Sequence, residues 1–122
     1  QEGTTWESLL IAARHKLDNL VVLVDYNKIQ ALTTLDEALP LNDLPAKFKA
    51  FNWDCNEVND GHSFDELFPA LQQPSSESKP RAVIIHTTKC KGIKAFENDP
   101  KWHARKIKGG ELEIGKRELG IK

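Results

Sequence analysis

Apolar residues recur at Trp6, Leu9, Leu10, Ala13 and Leu17, the spacing of one face of a helix. Thr4 precedes this stripe and Glu7 stands three residues on, so the pair reads as a capping box that opens the helix. Asp18-Asn19 ends it. Leu20 to Val24 is then an unbroken run of leucine and valine, and its length fits a strand buried on both faces, as in parallel sheets. Helix, short turn and buried strand make half of an α/β unit.

The pattern repeats. Leu44 to Phe51 predicts a short helix with Leu44, Phe48 and Phe51 on one side. Trp53 to Val58 reads as a second strand, less apolar because of Asp54-Cys55-Asn56 and so nearer a sheet edge. Asp60-Gly61-His62 makes a turn, and Ser63 opens a helix from Phe64 to Gln72 built on Phe64, Leu67, Phe68 and Leu71. Residues 74–80 form a loop by composition. Arg81 to Thr87, with Ala82-Val83-Ile84-Ile85, is a third buried strand. Strands alternating with helices predict a three-layer α/β/α fold with a mostly parallel sheet and right-handed crossovers. After Thr88 no apolar period is sustained, and 111–122 reads as a short helix or a tail.

At 122 residues the chain is one domain at most, and an apolar content of 39% is enough for a core. A formal net charge of −1 steers it neither to nucleic acid nor to an anionic membrane. Lys89 to Lys108 is locally basic and interleaves Phe96 and Trp102, a composition that can stack on single strands, but the rest of the chain cancels its charge. No apolar run approaches the roughly 20 residues that span a bilayer. Cys55 and Cys90 form no CxxC pair and read as free thiols of a reducing, cytoplasmic compartment, with a structural disulfide as the alternative. There is no initiator Met, so the chain reads as a piece of something longer.

Four segments carry a resemblance. Glu2-Gly3, Trp6-Glu7 and then Lys16-Leu17-Asp18-Asn19-Leu20, a valine-rich strand and Asp25-Tyr26-Asn27 come first. Asp60-Gly61-His62, Lys89-Cys90-Lys91-Gly92-Ile93 and Phe96-Glu97-Asn98 with Trp102-His103 follow in order. Together they resemble the cofactor domain of transketolases over residues 1 to about 104, leaving 105–122 as a basic loop and tail. Tyr26-Asn27-Lys28-Ile29-Gln30 is most similar to the separate N-terminal subunit of bacterial two-subunit transketolases. The resemblance implies a thiamine-diphosphate-binding fold, here incomplete, because the family's Gly-Asp-Gly would lie upstream of Gln1.

It also implies site residues. Asn27 would be a diphosphate and metal ligand, and Ile29 would lend its carbonyl to the same Mg2+, a hard cation that wants oxygen ligands. The third protein ligand would be the Asp of Gly-Asp-Gly. His103 would contact the cofactor and the substrate's reacting end, and an imidazole can exchange a proton or hydrogen-bond an oxyanion there. Glu2 would join a carboxylate network at a dimer interface. Read alone, Asn27 ends a strand in a turn, Glu2 faces a helix dipole, and His103 is an exposed residue of a basic loop. Cys90 and Ala104 stand where the family usually has Gly.

The implied activity is transfer of a two-carbon ketol unit between a ketose phosphate and an aldose phosphate, with thiamine diphosphate performing the hard step. The implied partners are sugar phosphates and a pyrimidine-binding domain or C-terminal subunit, in a dimer of such pairs. The chain alone is expected to be inactive. Alternatives are a 1-deoxyxylulose-5-phosphate synthase-like or other ketose-specific relative, or a non-catalytic subunit that keeps the fold and binds a partner.

Overall fold

The computed structural model describes residues 1–31, 33–76 and 78–122. Its elements run α1 (Gly3–Arg14), β1 (Val21–Tyr26), α2 (Leu35–Ala38), α3 (Leu44–Ala50), β2 (Asp54–Val58), α4 (Phe64–Gln72), β3 (Arg81–His86), a 3-10 helix (Pro100–His103) and α5 (Gly110–Glu118). The chain forms two compact units. One comprises Gln1–Tyr26 and Leu41–Thr87, the other Asn27–Pro40 and Thr88–Lys122.

The first unit is the α/β body. Its three strands are all parallel, in the order β1-β3-β2. The central strand takes neighbours on both edges and carries the most apolar sequence. Ala82, Val83 and Ile84 are fully buried, and burying side chains of the Val and Ile class contributes about 1.5–3 kcal/mol each. Alternate residues of a strand face opposite ways. Ala82 and Ile84 pack with Leu9 and Ala12 of α1, Leu44 and Phe48 of α3, and Trp53. Arg81 faces the other way, and its guanidinium donates to the Ala70 and Leu71 carbonyls of α4 at 2.6 and 2.9 Å. Helices therefore cover both faces, as the three-layer expectation required. The Trp53 indole N–H closes the α1 side by donating to the Leu9 carbonyl at 2.9 Å.

Several local expectations change. β1 spans Val21–Tyr26 and is not buried on both faces: Val22, Val24 and Tyr26 pack on the core, while Val21 and Leu23 are exposed. The reason is that α4 packs over β2 and leaves the second face of β1 uncovered. α1 starts one residue before Thr4, with Glu2 at the cap position and no side-chain capping bond, so the capping box does not form. The helix stops at Arg14, where Lys16 turns left-handed (φ +53°) and the Leu17 N–H reaches the Ala12 carbonyl. Its buried positions are Leu9 and Ala12, whereas Leu10 and Leu17 are exposed. In α4 the apolar stripe of Phe64, Phe68 and Leu71 also lies open to solvent, and Ser63 caps only through its backbone. Of the expected 74–80 loop, Glu77 lies outside the described residues.

The second unit gathers the loop after β1 and the chain after β3. Its anchor is Phe96, buried at 4% exposure and 4.0 Å ring to ring from Trp102. Gly115 of α5 packs against Ile93 and Phe96, and the 111–122 segment is helical up to Glu118 with a short tail after it.

Candidate functional site

The residue directly after β1 is Asn27. Its side-chain oxygen accepts the Ile29 N–H at 2.9 Å, an Asx turn that holds the amide in one orientation. The turn places Lys28 in the left-handed region at φ +62°, a conformation that costs an ordinary residue about 1–2 kcal/mol. Ile29 then faces Thr34 in an isolated antiparallel bridge. Its hydrogen bonds run from Leu35 N–H to the Lys28 carbonyl (3.0 Å) and from Gln30 N–H to the Thr33 carbonyl (2.8 Å), and neither uses the Ile29 carbonyl. Thr34 next caps α2 by accepting the Glu37 N–H at 3.3 Å.

The second segment begins beyond β3. Cys90 has φ +58°, and Gly92 has φ +103°. The expected glycine position at Cys90 is thus a left-handed one, occupied here by a residue with a Cβ. Ala104 is different: its φ is −142°, so no glycine is needed after His103. Asp99 opens the 3-10 helix by accepting the Lys101 N–H at 3.0 Å. Hydrogen bonding from the Lys101 ammonium, with which it also pairs, holds the Asp99 carboxyl below the usual carboxylate range. Glu111 is lowered likewise, first by the Lys108 backbone N–H and then by its pairing with Arg105. The Arg105 guanidinium sits 4.7 Å above the Trp102 ring. Trp102 Nε1 is buried with no hydrogen-bond partner among the described residues.

His103 is exposed at the end of the 3-10 helix. It lines a cavity of about 550 Å³ together with Ala31, Asp99, Lys101 and Arg105. Ala31 lies two residues beyond Ile29, so the Asn27 loop and the His103 segment meet at one cavity within one unit. Glu2 belongs to the other unit. It is exposed, its carbonyl accepts the Thr5 N–H at 3.2 Å, and its carboxylate makes no capping bond.

These donors suit a diphosphate-bound hard cation. An amide oxygen has two lone pairs, so Asn27 Oδ1 keeps one after serving Ile29. With the Ile29 carbonyl it would offer two oxygens of the kind Mg2+ takes. No group of three His, Cys, Asp or Glu side chains among the described residues could hold a metal, and the two expected ligands are of neither class. Lys101 and Arg105 line the cavity, paired with Asp99 and Glu111.

In the α/β unit, Gly61 is required by contact. A Cβ there would lie 2.4 Å from Ile85 Cγ2 and 2.7 Å from Thr87 Cγ2. The Gly61 N–H donates to the His86 carbonyl at 2.8 Å, and Asp60 accepts the His62 N–H at 2.9 Å, which fixes the turn. His86, at the end of β3, pairs across to Glu57 of β2 at 3.0 Å. Sequence reading missed Asp99, Lys101 and Arg105 as cavity residues. The Asp99-Pro100 pair was the available signal, since a cap followed by Pro starts a helix. Thr34 with Glu37 was the matching signal for α2.

Comparison with known proteins gives the family. The family described as "Transketolase, thiamine diphosphate binding domain" matches residues 1–122. The chain is 36% identical over 118 residues to one of the subunits of apulose-4-phosphate transketolase from Actinobacillus succinogenes, covering 97% of this chain and 42% of that protein. It is 35% identical over 107 residues to a 6-deoxy-6-sulfo-D-fructose transketolase subunit of a Clostridium species, covering 87% of this chain and 38% of that protein. Human transketolase is 33% identical over 87% of this chain and 16% of its own length. The chain thus spans less than half the length of these relatives. Among solved structures, transketolase from Campylobacter jejuni superposes with a TM-score of 0.86 at 29% identity, over 99% of this chain and 19% of that one. With the whole length matched and the fold shared, this chain belongs to the transketolase thiamine diphosphate binding domain family.

Proposed function

We propose that this chain supplies the diphosphate- and metal-binding side of a thiamine diphosphate site in a transketolase-type transferase. The observation that carries the reading is the Asx turn at Asn27, which orients an amide oxygen beside a carbonyl, that of Ile29, left unused by the adjoining bridge. Asn27 Oδ1 and the Ile29 carbonyl would ligate Mg2+ and through it the diphosphate. His103 would hydrogen-bond the cofactor and the reacting oxygen of a sugar phosphate. Lys101 and Arg105 line the same cavity, each paired with a carboxylate that a more strongly charged diphosphate would have to displace. When bound, thiamine diphosphate supplies the carbanion-stabilising chemistry, and the chain's own residues bind and orient.

The reaction in this reading is transfer of a two-carbon ketol unit between a ketose phosphate and an aldose phosphate in the cytoplasm. The relatives named as subunits, rather than as whole transketolases, support a further inference of partnership: a pyrimidine-binding domain or C-terminal subunit completes the site, in a dimer of such pairs. Glu2, with a carboxylate free of capping duty, would join the carboxylate network at that dimer interface. No nucleic acid or membrane is part of the proposal, and no helix among the described residues is long and apolar enough to cross a membrane.

Titration calorimetry of thiamine diphosphate with Mg2+ tests the ligand assignment on the assembled enzyme, wild type against Asn27→Ala. Loss of at least roughly tenfold in affinity is expected for a disturbed metal shell. Equal affinity in the variant would sink it. No binding to the wild type would favour the non-catalytic, partner-binding role.

A further inference from the structure

The segment after His103 is fastened to α5 through one side chain. The Arg105 guanidinium donates to Glu111 Oε1, and Glu111 Oε2 accepts the Lys108 N–H at 3.1 Å. A single carboxylate thus ties both the arginine and the following backbone to the first turn of α5. The same guanidinium lies 4.7 Å above the Trp102 ring. Trp102 in turn packs on Phe96, which is buried. Arg105 therefore rests on a fixed aromatic floor while its charge is matched by Glu111. Lys101 is held differently. It pairs with Asp99 two residues away, the residue that also caps the 3-10 helix, so that pair stays within one local turn. The Arg105–Glu111 pair instead joins two segments.

Both partners can be reached from solvent, with 38% of the Arg105 side chain and 28% of the Glu111 side chain exposed. A guanidinium carries its N–H donors in a rigid planar fork. The Glu111 bond uses one terminal nitrogen. An incoming anion can therefore engage the rest of the fork before the carboxylate lets go, and the stacking on Trp102 is kept throughout. A diphosphate offers the fork more charge and more oxygens than a carboxylate does, and Arg binds phosphate groups with two parallel bonds. Glu111 loses one bond in that exchange and keeps the other, to the Lys108 N–H, so the start of α5 is not disturbed.

We infer that Glu111 is an internal competitor for the diphosphate: it holds Arg105 until the bound diphosphate takes the guanidinium from it, and so sets how tightly the anion binds. The inference rests on the diphosphate reading given above and adds to it a residue of α5 that opposes binding. Exposed ion pairs are weak, so the opposition amounts to about two- to fivefold in affinity.

The test is calorimetric titration of the assembled enzyme with thiamine diphosphate and Mg2+, comparing wild type with Glu111→Gln, Glu113→Gln, Arg105→Ala and the Arg105→Ala/Glu111→Gln double variant. Glutamine keeps an acceptor for the Lys108 N–H and removes only the charge. Glu111→Gln should bind about two- to fivefold more tightly than wild type, a gain that misfolding cannot produce. Glu113 is 72% exposed on the same helix and pairs with Lys116. Glu113→Gln removes an equal charge without touching Arg105, and should bind as wild type does. With Arg105 already replaced, Glu111→Gln should have no effect, the mark of a pairwise coupling. The inference is overturned if Glu111→Gln binds no more tightly than wild type, if Glu113→Gln gains as much, or if the gain persists without Arg105. A weaker Glu111→Gln would show that the pair supports binding by holding the His103 segment. Failure of the diphosphate reading looks different: the wild type does not bind, or Asn27→Ala binds as the wild type does, and either result removes this inference too.

Discussion

Gly61 shows how little room the turn after β2 leaves. A methyl there would press on Ile85 and Thr87 at distances no real Cβ adopts, so Gly61→Ala should destabilise the fold by about 1–3 kcal/mol, the usual cost of overpacking, measured as a lower urea midpoint. Cys90 presents the opposite case. It holds φ +58° with a side chain attached. Glycine would relieve about 1–2 kcal/mol of left-handed strain while adding about 0.5–1 kcal/mol of unfolded-state entropy. Cys90→Gly should therefore be neutral to mildly stabilising in the same assay, and a clear loss would show that the thiol itself contributes. Burial pushes the Cys55 thiol up to about 11, with Glu57 adding to the effect. Its alkylation rate should still be rising between pH 9 and 10, where an ordinary thiol has levelled off. Asp54 moves the other way. Its folded pKa lies below the unfolded one, so its contribution to stability is complete above pH ~4 and is lost as the pH falls through the folded value. Asp54→Asn should flatten the acid limb of the stability curve, and an unchanged limb would mean other carboxylates set it.

At the scale of elements, capping and coverage decide what propensity leaves open. Asp43 caps α3 by accepting the Ala46 N–H at 2.8 Å, and Asp43→Ala should cost about 1 kcal/mol. The two apolar stripes behave differently although they read alike. In α3, Leu44 and Phe48 are buried under the sheet, and Phe48→Ala should cost about 3–5 kcal/mol. In α4, Phe64 is 69% exposed, and Phe64→Ser in this chain should change stability by no more than about 0.5 kcal/mol. Periodicity identifies a helix and its apolar side. It does not say whether anything covers that side, because coverage depends on where neighbouring elements come to lie. The same limit explains β1, whose valine run is long enough for double burial and receives only single burial here.

For the whole molecule, the expected behaviour follows from what one domain can hold. The 122-residue chain with thiamine diphosphate and Mg2+ should show no ketol transfer in a coupled assay with a ketose phosphate and an aldose acceptor, and turnover by the chain alone would overturn the need for a partner. Sequence alone was enough for the alternation of helices and strands, the parallel sheet and the family, because those depend on local periods and on motifs contiguous in the chain. It was also enough to mark Asn27, Ile29 and His103 as residues of interest. The tertiary structure decided which of their segments come close. Asn27 and Ile29 are joined by an Asx turn, and Ala31 of their loop meets His103 at one cavity, although more than 70 residues of chain separate them. Left-handed φ at Cys90 and its absence at Ala104 are likewise visible only in the fold, since a local sequence allows several backbone conformations.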